Sequence, residues 1–62
     1  MHNFKVYFKY CNNEKQIIEE VWNIENSKGY SIKDNNYLFF NINDKIISSI
    51  SNVFKIEKYE NN

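Results

Sequence analysis

The chain has 62 residues, with eight lysines against eight acidic residues and no formal net charge. A chain this short forms one small domain, expected here over residues 1–62, and buries only about 60% of the surface that its unfolded form exposes. Zero net charge argues against a strongly basic nucleic-acid-binding protein and equally against an acidic mimic of DNA.

Residues that could support a metal site, a disulfide or catalysis are scarce. Cys11 is the only cysteine and His2 the only histidine. No intrachain disulfide can therefore form, and the two residues together fall short of the three or four ligands of a zinc site. Glu19 and Glu20, if they lie on a strand, point to opposite faces and cannot act on one bond. We expect no enzyme activity, no cofactor and no metal.

Large side chains dominate the composition instead. There are eleven aromatic residues, namely five Phe, five Tyr and Trp22, and nine Ile besides. A core this small cannot cover eleven rings that each bury roughly 150–250 Å², so some aromatic surface is expected at an interface. No apolar stretch approaches the ~18 residues of a membrane span, and no signal peptide is recognisable. We therefore expect a cytoplasmic protein that does not contact a membrane.

The first predicted element is a strand over residues 4–10. Phe4, Val6, Phe8 and Tyr10 alternate with Lys5, Tyr7 and Lys9. This period-two pattern of β-favouring residues predicts a strand with one buried face, formed by the first group. Asn12 and Asn13 follow it and tolerate turn geometry.

Residues 14–26 fit a helix by periodicity. The apolar residues are Ile17, Ile18, Val21, Trp22 and Ile24. They span about 160° of a helical wheel, as expected for one buried helical face. A strand, by contrast, must place Glu19 or Glu20 on the core face or contain a bulge.

The same residues fit a strand by composition. Their apolar side chains are β-branched or aromatic, and an Asn-Asn turn after a strand is typical of a hairpin. A hairpin also brings Glu19 and Glu20 near Lys5 and Lys9, where opposite charges stabilise by roughly 0.2–1 kcal/mol per pair. We adopt the strand and keep a helix at about residues 14–27 as the alternative.

The C-terminal half predicts three more strands, over residues 37–42, 45–50 and 53–59, after a short extended segment at 30–32. Short strands joined by Asn, Asp and Ser turns are typical of an antiparallel meander. We therefore expect a mainly β fold, a five-stranded antiparallel meander curled like a small SH3-type barrel. The alternative is α+β, one helix packed on an antiparallel sheet. Residues 60–62 are expected to fray.

Two surfaces are candidates for binding. Lys5, Tyr7 and Lys9 place a ring between two cations, as in small barrels that bind single-stranded nucleic acid. A solvated strand face with cross-strand charge pairs explains the same pattern, and we prefer it because zero net charge removes long-range attraction.

The second candidate surface lies in residues 37–42. If Leu38, Phe40 and Ile42 point inward, Tyr37 and Phe39 point outward and form an apolar patch suited to a protein partner. In a closed barrel a second layer would cover them. Phe8 and Phe40 are predicted to be central in the core.

These features favour a non-enzymatic protein-binding module over a nucleic-acid-binding barrel or a structural homodimer. The partner is expected to be a larger protein or a second copy of the chain. The abundance of Asn, Ile and Lys, whose codons are AT-rich, is typical of a low-GC genome and favours a phage- or mobile-element-encoded inhibitor of a host defence protein. The predicted partner-binding residues are Lys5, Tyr7, Lys9, Trp22, Tyr37 and Phe39.

Overall fold

Six β-strands and no helix make up residues 1–60, the part of the chain that the computed structural model describes. The strands are β1 (His2–Cys11), β2 (Ile17–Ser27), β3 (Gly29–Lys33), β4 (Asn36–Phe40), β5 (Ile46–Ser51) and β6 (Val53–Tyr59). They form two antiparallel sheets, the first sheet in the order β2-β1-β6 and the second sheet in the order β3-β4-β5. The mainly β prediction is confirmed, with six strands rather than five and no closed barrel. The expectation for Asn61 and Asn62 lies outside the described residues.

The strand that the five-stranded prediction lacks is β3, which begins where the chain passes from the first sheet to the second. Only Lys28 separates β2 from β3, and only Asn52 separates β5 from β6. At the first corner Ser27 is completely buried, and its Oγ lies 3.0 Å from the Phe40 carbonyl oxygen and accepts a hydrogen bond of 3.1 Å from the Gly29 backbone N–H. The second corner is possible because Asn52 adopts φ of 58°, a left-handed conformation that Asn tolerates better than most residues.

Residues 17–27 form a strand, so the helix alternative is wrong. β2 pairs with β1 in a register that sets Glu19 opposite Lys9 and Glu20 opposite Phe8. The Lys9 ammonium lies 3.7 Å from the Glu19 carboxylate, which is one of the expected cross-strand charge pairs; the expectation is wrong for Lys5, which lies opposite Asn23. Glu20 lies on the core side of the first sheet but stays exposed, and its Oε1 accepts a hydrogen bond of 3.1 Å from the Tyr10 hydroxyl. A strand can therefore carry this acid without burying it.

Asparagine builds the turns. The Asn12 Oδ1 accepts backbone N–H groups of residues 14 and 16, and the Asn41 Oδ1 accepts those of residues 43 and 45 in the same way. Asp34 and Asn35 both have positive φ, at 50° and 66°, as a two-residue type I′ hairpin turn requires. The high Asn content thus has a structural use in this fold.

The core lies between the two sheets and is small. Its buried members are Phe4, Val6, Phe8, Ile24, Phe39 and Ile50. The predicted buried face of β1 is confirmed for Phe4, Val6 and Phe8 and is wrong for Tyr10, which is exposed at the end of the strand.

The predicted orientation of residues 37–42 is wrong by one position. Phe39 is completely buried, and its ring centroid lies 5.6 Å from that of Phe4 and 5.3 Å from that of Tyr30. Tyr37 packs against the same core, while Leu38 and Phe40 alternate to the other face and are only half-buried. The strand ends at Phe40, so Ile42 belongs to a turn and gives no sign of which face is inward.

Candidate functional site

The six predicted binding residues fall on different sides of the molecule. Lys5, Tyr7 and Lys9 share the outward face of the first sheet, as expected from the burial of Val6 between them. Trp22 lies opposite Val6, on the inner face of that sheet. Tyr37 and Phe39 line the inner face of the second sheet. The structure therefore brings the first three together and separates them from the others, and Phe39 cannot touch a partner because it belongs to the core.

The outward face of the first sheet gains three residues from β6 that the sequence analysis did not assign. Lys55 lies opposite Tyr7, and Phe54 occupies the bulge beside them. Tyr59 lies opposite Asn3 on the same face. We call this surface the lysine–aromatic face; it consists of Lys5, Tyr7, Lys9, Phe54, Lys55 and Tyr59.

Each lysine of this face lies over a ring. The ammonium of Lys55 is 5.1 Å from the Tyr7 ring centroid, that of Lys9 is 4.9 Å from Phe54, and that of Lys5 is 5.7 Å from Tyr59. Exposed cation–π contacts of this kind stabilise by about 0.5–1 kcal/mol. The lysines are therefore held near the rings, but weakly enough to turn towards an anion.

Glu19, beside Lys9, and Glu57, beside Lys55, offset part of the positive charge of this face. The Tyr7 hydroxyl donates a hydrogen bond of 2.6 Å to Glu57 Oε1, and the Lys55 ammonium lies 3.8 Å from the same oxygen. The hydrogen bond from Tyr7, with the nearby charges of Lys55 and Lys5, lowers the pKa of Glu57. The same hydrogen bond raises the pKa of Tyr7. Glu57 is thus ionised and already bonded at neutral pH.

A groove opens between the first sheet, where β1 and Trp22 of β2 line it, and β5 of the second sheet. Its volume is about 190 Å³, and it is lined by Phe8, Lys9, Tyr10, Trp22 and residues 49–52. Trp22 is 47% exposed here and packs edge-on against Phe8 at 5.0 Å between ring centroids. Trp22 is therefore partly accessible at this groove, and its predicted role in partner binding stays a prediction.

An apolar patch lies at one end of the outward face of the second sheet, next to the turn between β4 and β5. It consists of Leu38, Phe40, Ile42 and Ile46, with Ile46 opposite Phe40 in the ladder. Ile42 and Ile46 are 67% and 57% exposed. Leu38, Phe40 and Ile42 were predicted to point into the core. They belong to the patch instead, because Tyr37 and Phe39 are the residues of β4 that face inward.

The molecule is thin and open for its size. Its radius of gyration is 12.4 Å, against about 10.6 Å for a compact domain of this length. Its accessible surface is 4742 Å², against about 4,300 Å² for a monomer of this mass. The apolar patch is therefore exposed on a chain that covers its own surface poorly.

Groups that could support chemistry are isolated. Cys11 is exposed and free. Within residues 1–60, no group of three or more His, Cys, Asp or Glu side chains is arranged to hold a metal ion. No helix in that part of the chain is long and apolar enough to cross a membrane.

Part of the lysine–aromatic face can be predicted from the sequence. Alternation along residues 53–59 already sets Lys55, Glu57 and Tyr59 on one face. What the sequence does not give is the pairing of β6 with β1, which joins segments about 50 positions apart, or the bulge that turns Phe54 to the same side. Comparisons with protein-family models, with curated proteins and with solved structures returned no match for this chain.

Proposed function

We propose that this chain is a non-enzymatic protein-binding module that uses the apolar patch on the second sheet. The exposure of Ile42 and Ile46 beside the half-buried Leu38 and Phe40 is the main support. Exposed apolar side chains grouped on a small domain are typical of interaction sites. No member of the patch carries a charge, which favours an apolar protein surface as the partner.

The size of the molecule is compatible with such a contact. A stable protein interface takes about 800 Å² from each partner. The broad side of the molecule measures 38 by 28 Å, which is large enough to supply that area. The proposed partner is a larger protein with a complementary apolar surface. The narrower proposal of an inhibitor encoded by a phage or mobile element is supported by the AT-rich codon composition alone.

A structural homodimer is the second candidate, and the edge of β5 favours it. β5 has one neighbouring strand, and its sequence Ile46–Ser51 contains no charged residue. The edges formed by β2 and β6 each carry three charged residues, which protect an edge against pairing with other strands. A second copy could therefore add its own β5 to this edge.

Affinity capture of partner proteins tests the proposal. The wild-type chain and two matched double variants are each used to capture proteins from a lysate of a low-GC bacterial host. Ile42→Ser with Ile46→Ser changes the patch, whereas Ile17→Ser with Ile32→Ser changes two isoleucines of similar exposure, 75% and 59%, elsewhere. All proteins must keep the wild-type circular dichroism spectrum. We expect the wild type and the control to retain the same partner in high salt and the patch variant to lose it. Equal retention by all three, or none by the wild type, would overturn the proposal.

A further inference from the structure

We infer that the lysine–aromatic face is a binding site for single-stranded nucleic acid, independent of the apolar patch. Three ammonium groups and three rings alternate over two neighbouring strands, β1 and β6. Proteins that bind single strands without sequence preference combine cations that follow the backbone with rings on which bases stack. The rings and the cations of this face are interleaved in that way.

Two of the rings lie side by side on this face, with their planes inclined by 52° to each other. The ring centroids of Tyr7 and Phe54 lie 6.2 Å apart. Phe54 is an exposed apolar ring, so a base that stacks on it also covers apolar surface. A duplex hides the faces of its bases, which makes a single strand the better ligand.

Local charge on β1 and β6 favours an anion despite the neutral chain. On these two strands the outward side carries Lys5, Lys9 and Lys55 against Glu57, and the neighbouring strand β2 adds Glu19 and, by alternation, Glu25. Glu57 is occupied by the Tyr7 hydroxyl as well as by Lys55. Within residues 1–60 the ion-pair partners of Lys9 and Lys55 are exposed carboxylates, so these lysines can turn from a ring to a phosphate.

Rings distinguish this ligand from an acidic protein segment. Asp and Glu side chains could pair with the lysines, but they have no ring to stack on Phe54 and Tyr7. The structure also strengthens the case for a nucleic-acid-binding surface over a solvated strand face. Lys5, Tyr7 and Lys9 alone offer one ring, and β6 adds two rings and a third lysine.

The expected binding is weak and salt-dependent. With about three phosphate contacts, the logarithm of the affinity should fall with the logarithm of salt with a slope of about −2. Raising salt from 50 to 200 mM should then weaken binding about 20-fold. The dissociation constant should lie in the range of roughly 10⁻⁴ to 10⁻⁶ M at physiological salt, as for non-specific binding.

Fluorescence anisotropy with a labelled eight-nucleotide oligo(dT) tests the inference. Lys9→Gln with Lys55→Gln should weaken binding at least tenfold and reduce the salt slope. Lys33→Gln with Lys45→Gln removes the same charge from the second-sheet side and should leave affinity within about twofold. Phe54→Leu keeps an apolar side chain but loses the ring, and it should weaken binding about fivefold or more with the salt slope unchanged.

Three results would overturn the inference. The first is no binding by the wild type at 50 mM salt. The second is an equal loss in both lysine pairs, since only total charge would then matter. The third is an unchanged affinity in Phe54→Leu together with equal competition by an eight-residue oligoglutamate, which would assign the face to an acidic protein segment.

Discussion

The Tyr7 hydroxyl donates a hydrogen bond of 2.6 Å to Glu57 Oε1, joining the first strand to the last across 50 positions of sequence. It lies on the exposed side of the first sheet, where Lys55 approaches the same carboxylate. The bond favours the ionised carboxyl group and the protonated phenol. It therefore lowers the pKa of Glu57 and raises that of Tyr7.

The pKa of Glu57 should report this bond directly. NMR titration of the side-chain carboxyl carbon should give the wild type a pKa below 4.5, the ordinary value for glutamate. Tyr7→Phe removes the donor and should return the pKa towards that value, whereas Tyr10→Phe, which affects the separate bond to Glu20, should leave it unchanged. A Glu57 pKa that does not respond to Tyr7→Phe would contradict the assignment.

The sign of the pH effect on stability follows from these shifts. Because the folded-state pKa of Glu57 is lowered, its contribution is present above the unfolded value and is lost as pH falls through the folded value. Because the pKa of Tyr7 is raised, its contribution is present below pH 10, the ordinary value, and is lost as pH rises through the folded value. Urea unfolding of Tyr7→Phe should therefore differ least from the wild type at the two pH extremes.

Phe39 should be the most sensitive position of the second sheet. It is completely buried against Phe4 and Tyr30, so Phe39→Ala should lower the free energy of unfolding by about 3–5 kcal/mol. Phe40→Ala, at a half-buried position of the same strand, should lower it by clearly less. Urea unfolding followed by Trp22 fluorescence measures both, and the reverse order would show that Phe40 faces the core.

Ser27 should stabilise the corner between the sheets through its hydroxyl. Ser27→Ala leaves the Gly29 N–H without its side-chain acceptor and should cost about 1–3 kcal/mol, as for a buried unsatisfied group. Ser31→Ala, at an exposed position on β3, should stay within about 0.5 kcal/mol of the wild type. Equal melting temperatures of the two variants in calorimetry would show that the hydrogen bonds of the Ser27 hydroxyl do not stabilise this corner.

Asn52 should stabilise the fold because it tolerates a left-handed backbone conformation. With φ of 58° it alone connects β5 to β6, and a left-handed residue with an ordinary side chain is disfavoured by roughly 1–2 kcal/mol. Asn52→Ala should therefore destabilise the fold by about that amount, while Asn52→Gly should be milder because glycine adopts this conformation freely. If glycine proves as harmful as alanine, the hydrogen bond between the Asn52 and Asn35 side chains is the more important contribution.

The fold class could be predicted from local patterns, because alternation and turn residues act within a few positions. β1 shows this best, since the buried set of Phe4, Val6 and Phe8 follows from sequence alone. In residues 17–27 the helical period was accidental. Cross-strand pairing with β1 decided the structure, and Glu20 could occupy the core side because it stays exposed there.

The orientation of β4 and the extent of the binding surfaces could not be predicted in this way. Each of residues 37–40 is apolar or aromatic, so alternation gives no preference, and only packing against Phe4 from the other sheet selects Phe39. The lysine–aromatic face likewise depends on the long-range pairing of β6 with β1.

Position-specific photocrosslinking tests the proposed protein-binding surface most directly. Benzoylphenylalanine replaces Ile46 within the apolar patch or, as the control, Ile17, which is exposed elsewhere. On irradiation in a host lysate, the patch position should give a discrete adduct heavier than a dimer of the chain, and the control position should not. No adduct from position 46, the same adduct from both positions, or an adduct with the mass of a homodimer would contradict a heterologous partner at this patch.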